Sequence, residues 1–320
     1  MQAIHKTVLL NETIESLNLQ NKSLVLDCTF GGGGHSKEIL ERYPNAKIIA
    51  LDQDKSVWEK AKDKFKGFEK RIFFVNANFR DLENLESKNF FETAPSETKG
   101  QGTHTFLKNS LPLSFSAIIF DLGLSSDQLE NSGRGFSFMR EEPLLMTMKE
   151  NPQEEDLTAM DIVNTWEEKS LADIIYGYGE ERFSRKIAKG IVEARKKKKI
   201  ETTWDLVKII EENVPASYKR GRLHFATKTF QALRIAVNDE LGALQMGLEK
   251  GFEVLKEGGR MSVISFHSLE DRIVKRFFKE KEKIGEAKLI SKKPITAKEE
   301  EIKNNPRSRS AKLRVLEKIL

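Results

Sequence analysis

The sequence predicts an α/β fold, a largely parallel sheet whose alternation of strand and helix is interrupted by an all-helical insert. Three observations predict it. The stretch LVLDCTFGGGGHS, residues 24 to 36, is an apolar run that ends in Asp27 and then breaks into the glycines Gly31 to Gly34. Further apolar runs follow at 48 to 51, 72 to 75 and 117 to 120, and the first and last of these also close on an acid, Asp52 and Asp121. From about residue 127 to 222 such runs stop and a polar, helical pattern takes over.

Each element has its own reason. Val8-Leu9-Leu10 and the amphipathic turns that follow, with Ile14 and Leu17 on one side, pack ahead of the first strand. Leu24, Val25 and Leu26 form the kind of run that a parallel strand buries on both faces. The glycines let the backbone turn sharply and approach a ligand, and His35 to Leu40 begin a helix that ends by Pro44. Val57, Ala61 and Phe65 recur at helical spacing before the third strand, which ends in NANFRD. Residues 86 to 116 are rich in Ser, Thr, Gly and Pro without periodicity and read as a surface loop.

After the insert, Phe230, Leu233, Val237, Leu241, Leu244 and Leu248 form one stripe along a long helix. Gly258-Gly259 lead into a strand from Met261 to Phe266, Leu269 to Phe278 form another helix, 285 to 306 read as loop, and Leu313 to Leu316 supply a last strand. The resulting domains are 1-126 with 223-320 for the sheet and 127-222 for the insert.

Three acids at three strand ends point into one crevice at the carboxyl edge of a sheet, the place where open α/β sheets bind ligands. A glycine turn there serves either a dinucleotide or S-adenosylmethionine. The dinucleotide spacing fits poorly, since Ser36 or Lys37 stands where its third glycine belongs. Asp52 is placed to hold ribose hydroxyls, or to cap the next helix. Phe79, after the third strand, either stacks on an adenine or joins the core.

With 320 residues the chain can bury a large core without a disulfide. Cys28 is the only cysteine, so neither an internal disulfide nor a multi-cysteine zinc site can form; no metal centre and a reducing compartment are expected. No run approaches the roughly 18 apolar residues of a membrane span, and the opening residues lack the build of a signal peptide. A cytoplasmic protein with no membrane partner is expected. The net charge of +5 suits a polyanionic partner. Basic residues cluster at Arg195 to Lys199 and again at Arg307, Arg309, Lys312 and Arg314. The first run is either an RNA contact or a solvated helix end.

Eight stretches carry a family likeness: HKTVLLNE, DCTFGGGGHS, DLGLSSDQL, RGFSFM, YGEERF, TFQALRIAVNDEL, GGRMSVISFHSLEDRIVKRF and NPRSRSAKLR. Each is weak alone; in register from His5 to the last strand they are specific. The chain resembles the bacterial small-subunit ribosomal RNA methyltransferase H family, also called the MraW family. That resemblance implies a class I (Rossmann-like) S-adenosylmethionine-dependent methyltransferase sheet with a helical insert, and the basic run and aromatics of the insert make it the expected place of RNA recognition. It also implies methyl transfer to the exocyclic N4 of a cytidine in the decoding region of small-subunit (16S) ribosomal RNA. Cofactor contacts are implied at Gly33, Gly34, His35, Asp52, Phe79, Asp121 and Gln128. The partner implied is small-subunit ribosomal RNA within the assembled or assembling subunit, and a homodimer is a further candidate.

The chain departs from the family pattern at Lys6-Thr7, at Leu145 to Met148, and at Phe225 to Lys228. The missing Asp and Arg at 145 and 147 bear on the insert or on RNA, and leave the cofactor site alone.

Transfer to an amine needs an aligned donor, a close nucleophile and an acceptor for a proton. Asp121 is the candidate acceptor, and His267 and Ser268 at the end of the fifth strand are alternatives. Transfer to cytosine C5 needs a cysteine nucleophile, and Cys28, under the cofactor loop, is badly placed for it. A nicotinamide oxidoreductase and a non-catalytic RNA-binding protein are the competing functions.

Overall fold

The computed structural model describes residues 6–85, 114–150 and 152–320. The stretch read as a loop from 86 lies outside the described residues up to 113, and its last positions join a strand. The chain divides into two compact units, Met1–Gly123 with Gly242–Leu320, and Leu124–Leu241. Residues 223 to 241, expected with the sheet, belong to the second unit because helix Thr227–Asn238 sinks Phe230 and Leu233 into that unit's own core.

Among the described residues the first unit holds a seven-stranded sheet, and its strands are β1 (Leu24–Asp27), β2 (Lys47–Asp52), β3 (Ile72–Asn76), β4 (Phe115–Asp121), β5 (Leu255–Ser265), β6 (Ala287–Leu289) and β7 (Lys312–Lys318). Their spatial order is β3-β2-β1-β4-β5-β7-β6. All neighbours run parallel except β7, which is antiparallel to both β5 and β6. This is the open, largely parallel α/β sheet that the sequence predicts, with one antiparallel strand inserted near its edge.

The unbroken apolar runs are explained by burial on both faces, because strand side chains alternate between the faces. Leu26, Ile49, Leu51, Ile118 and Phe120 enter one core. Their neighbours Val25, Ile48, Ala50, Ala117 and Ile119 enter another. Strand order reverses between β1 and β4, so their carboxyl ends flank the switch-point crevice.

Two expectations for the carboxyl part need correction. The stripe from Phe230 to Leu248 is carried by two helices, Thr227–Asn238 and Glu240–Val254, because Asp239 takes a left-handed conformation at φ 46° that a continuous helix cannot hold. The polar stretch 285 to 306 is not all loop. It contributes the short edge strand β6, paired to β7, and helix Glu299–Asn304.

The second unit packs helices Ala159–Thr165, Glu168–Gly177, Ser184–Arg195, Thr203–Asn213 and Thr227–Asn238 around Ile162, Leu171, Ile187, Ile210 and Leu233. Thr158 with Asp161, and Thr202 with Asp205, form capping boxes that satisfy the first amides of two of these helices. Residues 145 to 148 act inside this unit. The Met146 amide donates to the Arg134 carbonyl, and Asn238 bridges Met146 and Met148. Among the described residues, no helix is long and apolar enough to cross a membrane.

Candidate active site

The glycine turn after β1 is built by close approach. Gly33 has φ 73°, a left-handed value, and a Cβ there would lie 2.6 Å from the Phe30 ring. At Gly34, where helix Gly34–Arg42 starts, a Cβ would lie 1.7 Å from Thr7 Oγ1. Both positions therefore require glycine for backbone and packing reasons. That helix begins one residue earlier than its periodicity suggested and carries His35 and Ser36 buried in its first turn.

Three carboxyls meet this turn. Asp27, at the end of β1, is buried and accepts from Ser36 Oγ at 2.6 Å and from the Thr29 amide at 3.2 Å. Loss of water raises its pKa to about 6, against the lowering effect of those hydrogen bonds. Asp52, at the end of β2, accepts from the Gly31 amide at 2.8 Å and from the Asp54 amide at 2.9 Å. Burial raises it likewise to about 6. It thus clamps the glycine turn, while each oxygen keeps a second lone pair for a ligand hydroxyl.

Asp121, at the end of β4, is the most perturbed of the three. Burial, with the charges of Asp27 and Glu270 adding to it, pushes its pKa to about 8. Its amide donates to Thr29 Oγ1 at 2.6 Å, and its Oδ2 lies 3.7 Å from His35 Nδ1. Its Oδ1 is buried and finds no hydrogen-bond partner among the described residues. A carboxyl with an open, buried acceptor in a field of other carboxyls is suited to a ligand that brings positive charge and N–H or O–H donors.

The remaining expected positions have other duties as well. Phe79 is half-buried; its ring meets Phe120 edge-on at 5.4 Å and lies against Gly247, so it is part of the core beside β4. Gln128 sits in the second unit on helix Ser126–Glu130, where its side-chain oxygen accepts from the Ser125 amide at 3.0 Å in a capping box. His267 is the cap of helix Ser268–Lys283, its Nδ1 accepting from the Glu270 amide, which gives this histidine a structural occupation. Cys28 is buried and its thiol is pushed well above its ordinary pKa by burial and by Asp27. It is therefore a poor nucleophile.

The basic run is less available than its charge suggests. Arg195 turns inward to the carbonyls of Val163 and Trp166, Lys196 pairs with Glu193, and Lys198 pairs with Asp205.

Three contributors were not singled out from sequence. Ser36, read only as a failed third glycine, is the hydroxyl that holds Asp27. Thr29 joins Asp27 to Asp121, and Glu270 adds buried negative charge from the start of the last long helix. Thr29 and Ser36 lie within the motif DCTFGGGGHS and Glu270 within SFHSLED, so their nearness to the acids was the available signal.

Comparison with known proteins agrees with this geometry. A family model described as the MraW methylase family matches residues 2–319. The chain is 42% identical over 316 residues to the ribosomal RNA small subunit methyltransferase H of Persephonella marina, covering 98% of this chain and 99% of that protein. It is 45% identical over 311 residues to the protein of the same name from a Sulfurihydrogenibium species, covering 97% and 98% of the two chains. With the one from Clostridium botulinum it shares 43% identity over 335 residues, covering all of both. A match that spans the glycine turn, the strand-end acids and the helical unit at such identity leaves one assignment: the chain belongs to the MraW methylase family.

Proposed function

We propose that this protein transfers a methyl group from S-adenosylmethionine to the exocyclic N4 of one cytidine in small-subunit ribosomal RNA. The observation that carries the cofactor half is the carboxyl set at the strand ends, Asp27 buried and Asp52 and Asp121 half-buried, with the buried, open Oδ1 acceptor of Asp121 among them. S-adenosylmethionine suits that set, since it has a sulfonium, an ammonium and two ribose hydroxyls. A nicotinamide dinucleotide would bring a pyrophosphate into the same field and be repelled. When bound, the cofactor supplies an electrophilic methyl group.

The chain's own residues do the rest. Asp52 holds the Gly31 amide and offers its remaining lone pairs to hydroxyls. Asp121, fixed through Thr29 and beside His35, offers Oδ1 as the acceptor for an amine hydrogen, which favours the pyramidal nitrogen that attacks. Cys28, held as a thiol, disfavours the covalent route to C5.

The RNA half rests on the named relatives, each called a small-subunit ribosomal RNA methyltransferase H. We place the reaction in the cytoplasm, on RNA of the assembled or assembling small subunit. Tritiated S-adenosylmethionine and purified small subunits test it. Label entering the RNA supports the reading, whereas NAD binding without S-adenosylmethionine binding, or RNA binding without label transfer, overturns it.

A further inference from the structure

The second unit displays an aromatic ladder on its surface. The exposed His224 ring stacks on Phe138 at 4.5 Å between centroids and 11° between planes, and on Phe225 at 4.2 Å and 29°. Phe138 is anchored beneath by an edge-on contact with the buried Phe230. Met139 and Leu223 add apolar surface at 73% and 56% exposure. An exposed apolar patch of this kind, on a loop of sequence KRGRLHF, calls for an occupant.

The loop is exposed and yet fixed. Tyr218 donates its hydroxyl to Glu181, a fully buried carboxylate that also accepts from the Phe183 amide at 2.8 Å. The Gly221 amide donates to the Tyr218 carbonyl, and the Ala226 amide donates to His224 Nδ1 at 3.3 Å. Lys228 and Gln231 tie the following helix to the Glu180 and Tyr178 carbonyls. The YGYGEERF stretch therefore serves to hold the loop in place.

The charge on the patch is positive. Arg220 and Arg222 are exposed and no carboxylate pairs with them among the described residues, whereas Lys219 is paired with Glu211 at 3.4 Å. Burial lowers the His224 pKa, so the ring stacks as a neutral imidazole. A stack of flat rings with two exposed arginines within four residues of His224 along the chain matches the two parts of unpaired RNA, since bases stack on rings and phosphates pair with arginine.

We propose that unpaired bases of the RNA substrate use the stack of Phe138, His224 and Phe225 as a platform and continue it by stacking on its end ring, with His224 as the middle ring that holds the stack together and Arg220 and Arg222 close by in sequence. The platform rests on the reading of the protein as an RNA methyltransferase and adds where the strand is gripped. It differs from the basic run at 195 to 199, in which Arg195, Lys196 and Lys198 have partners within the protein.

The test uses the full chain and a fluorescein-labelled single-stranded RNA oligonucleotide, with its duplex as control, titrated across a range of salt. His224→Ala is expected to weaken single-strand binding about tenfold and leave the salt slope unchanged, with His224→Tyr restoring affinity. Arg220→Gln and Arg222→Gln are each expected to lower the slope by about 0.7. All these positions are exposed, and an unchanged thermal midpoint and circular dichroism spectrum show that the variants are folded. Wild-type binding that all the variants retain overturns the platform alone. Wild-type protein that binds S-adenosylmethionine but no RNA overturns the platform together with the substrate reading. Variants that lose intact small subunits while keeping the oligonucleotide overturn it too, and assign the patch to a protein partner.

Discussion

Binding of S-adenosylmethionine should expel a proton from Asp121. With its pKa raised to about 8 by burial and by the charges of Asp27 and Glu270, the carboxyl is about nine-tenths protonated at pH 7 in the free protein. A unit positive charge at about 5 Å, in an effective dielectric of about 20, favours the ionised form by about 3 kcal/mol, or about two pKa units. The bound-state pKa then falls to about 6, and close to one proton leaves per cofactor at pH 7. Asp27 and Asp52, at about 6, are mostly ionised at that pH and add little.

Calorimetric titrations in phosphate and in Tris read the proton directly, because the apparent enthalpies differ by the proton number times the difference in buffer ionisation enthalpy. Affinity should rise with pH through the window from about 6 to about 8. Asp121→Asn should abolish both effects. On stability the same group acts in the opposite direction. Its folded-state pKa lies above the ordinary 3.8, so the folded form holds the extra proton, and the free protein loses stability as pH rises from about 4 towards 8. Equal heats in the two buffers, or a release that survives in Asp121→Asn, would refute the reasoning.

Three other perturbations follow from the same geometry. Gly34→Ala places a Cβ against Thr7, so urea denaturation should show a loss of about 2 kcal/mol that Thr7→Gly in the same chain relieves; an unchanged midpoint would mean the turn has room. Asp52→Ala leaves the Gly31 and Asp54 amides without their acceptor, and S-adenosylmethionine affinity should fall by about 1 to 3 kcal/mol in calorimetry. Equal affinity would reduce Asp52 to a local turn residue. Cys28 should resist alkylation by iodoacetamide in the native protein and react on unfolding, and rapid native labelling would contradict its burial and raised pKa.

Much of the site was readable because strand ends announce themselves. An apolar run that stops at Asp27, Asp52 or Asp121 places that acid at a sheet edge whatever the rest of the fold. The bonds between the acids were not readable, because the Thr29 and Ser36 hydroxyls look like any others in sequence and act only through the fold. The break at Asp239 was hidden, since an apolar stripe passes unaltered through a single left-handed residue. The three residues of β6 are too few to show a period, and their pairing comes from β7. The partners of Arg195 and Lys198 in the basic run were not readable either, because charge counts ignore groups supplied by other helices. RGRLHF carries fewer cations, and what distinguishes it is a stack on Phe138, far away along the chain.

The product identifies the enzyme. It is read by nucleoside digestion and mass spectrometry of small-subunit ribosomal RNA from cells with and without this protein. One cytidine should lack its N4 methyl when the protein is absent and regain it when purified protein and S-adenosylmethionine are added to the subunits. Loss of a C5 methyl or of a ribose methyl, or RNA that is identical in the two cells, would contradict it.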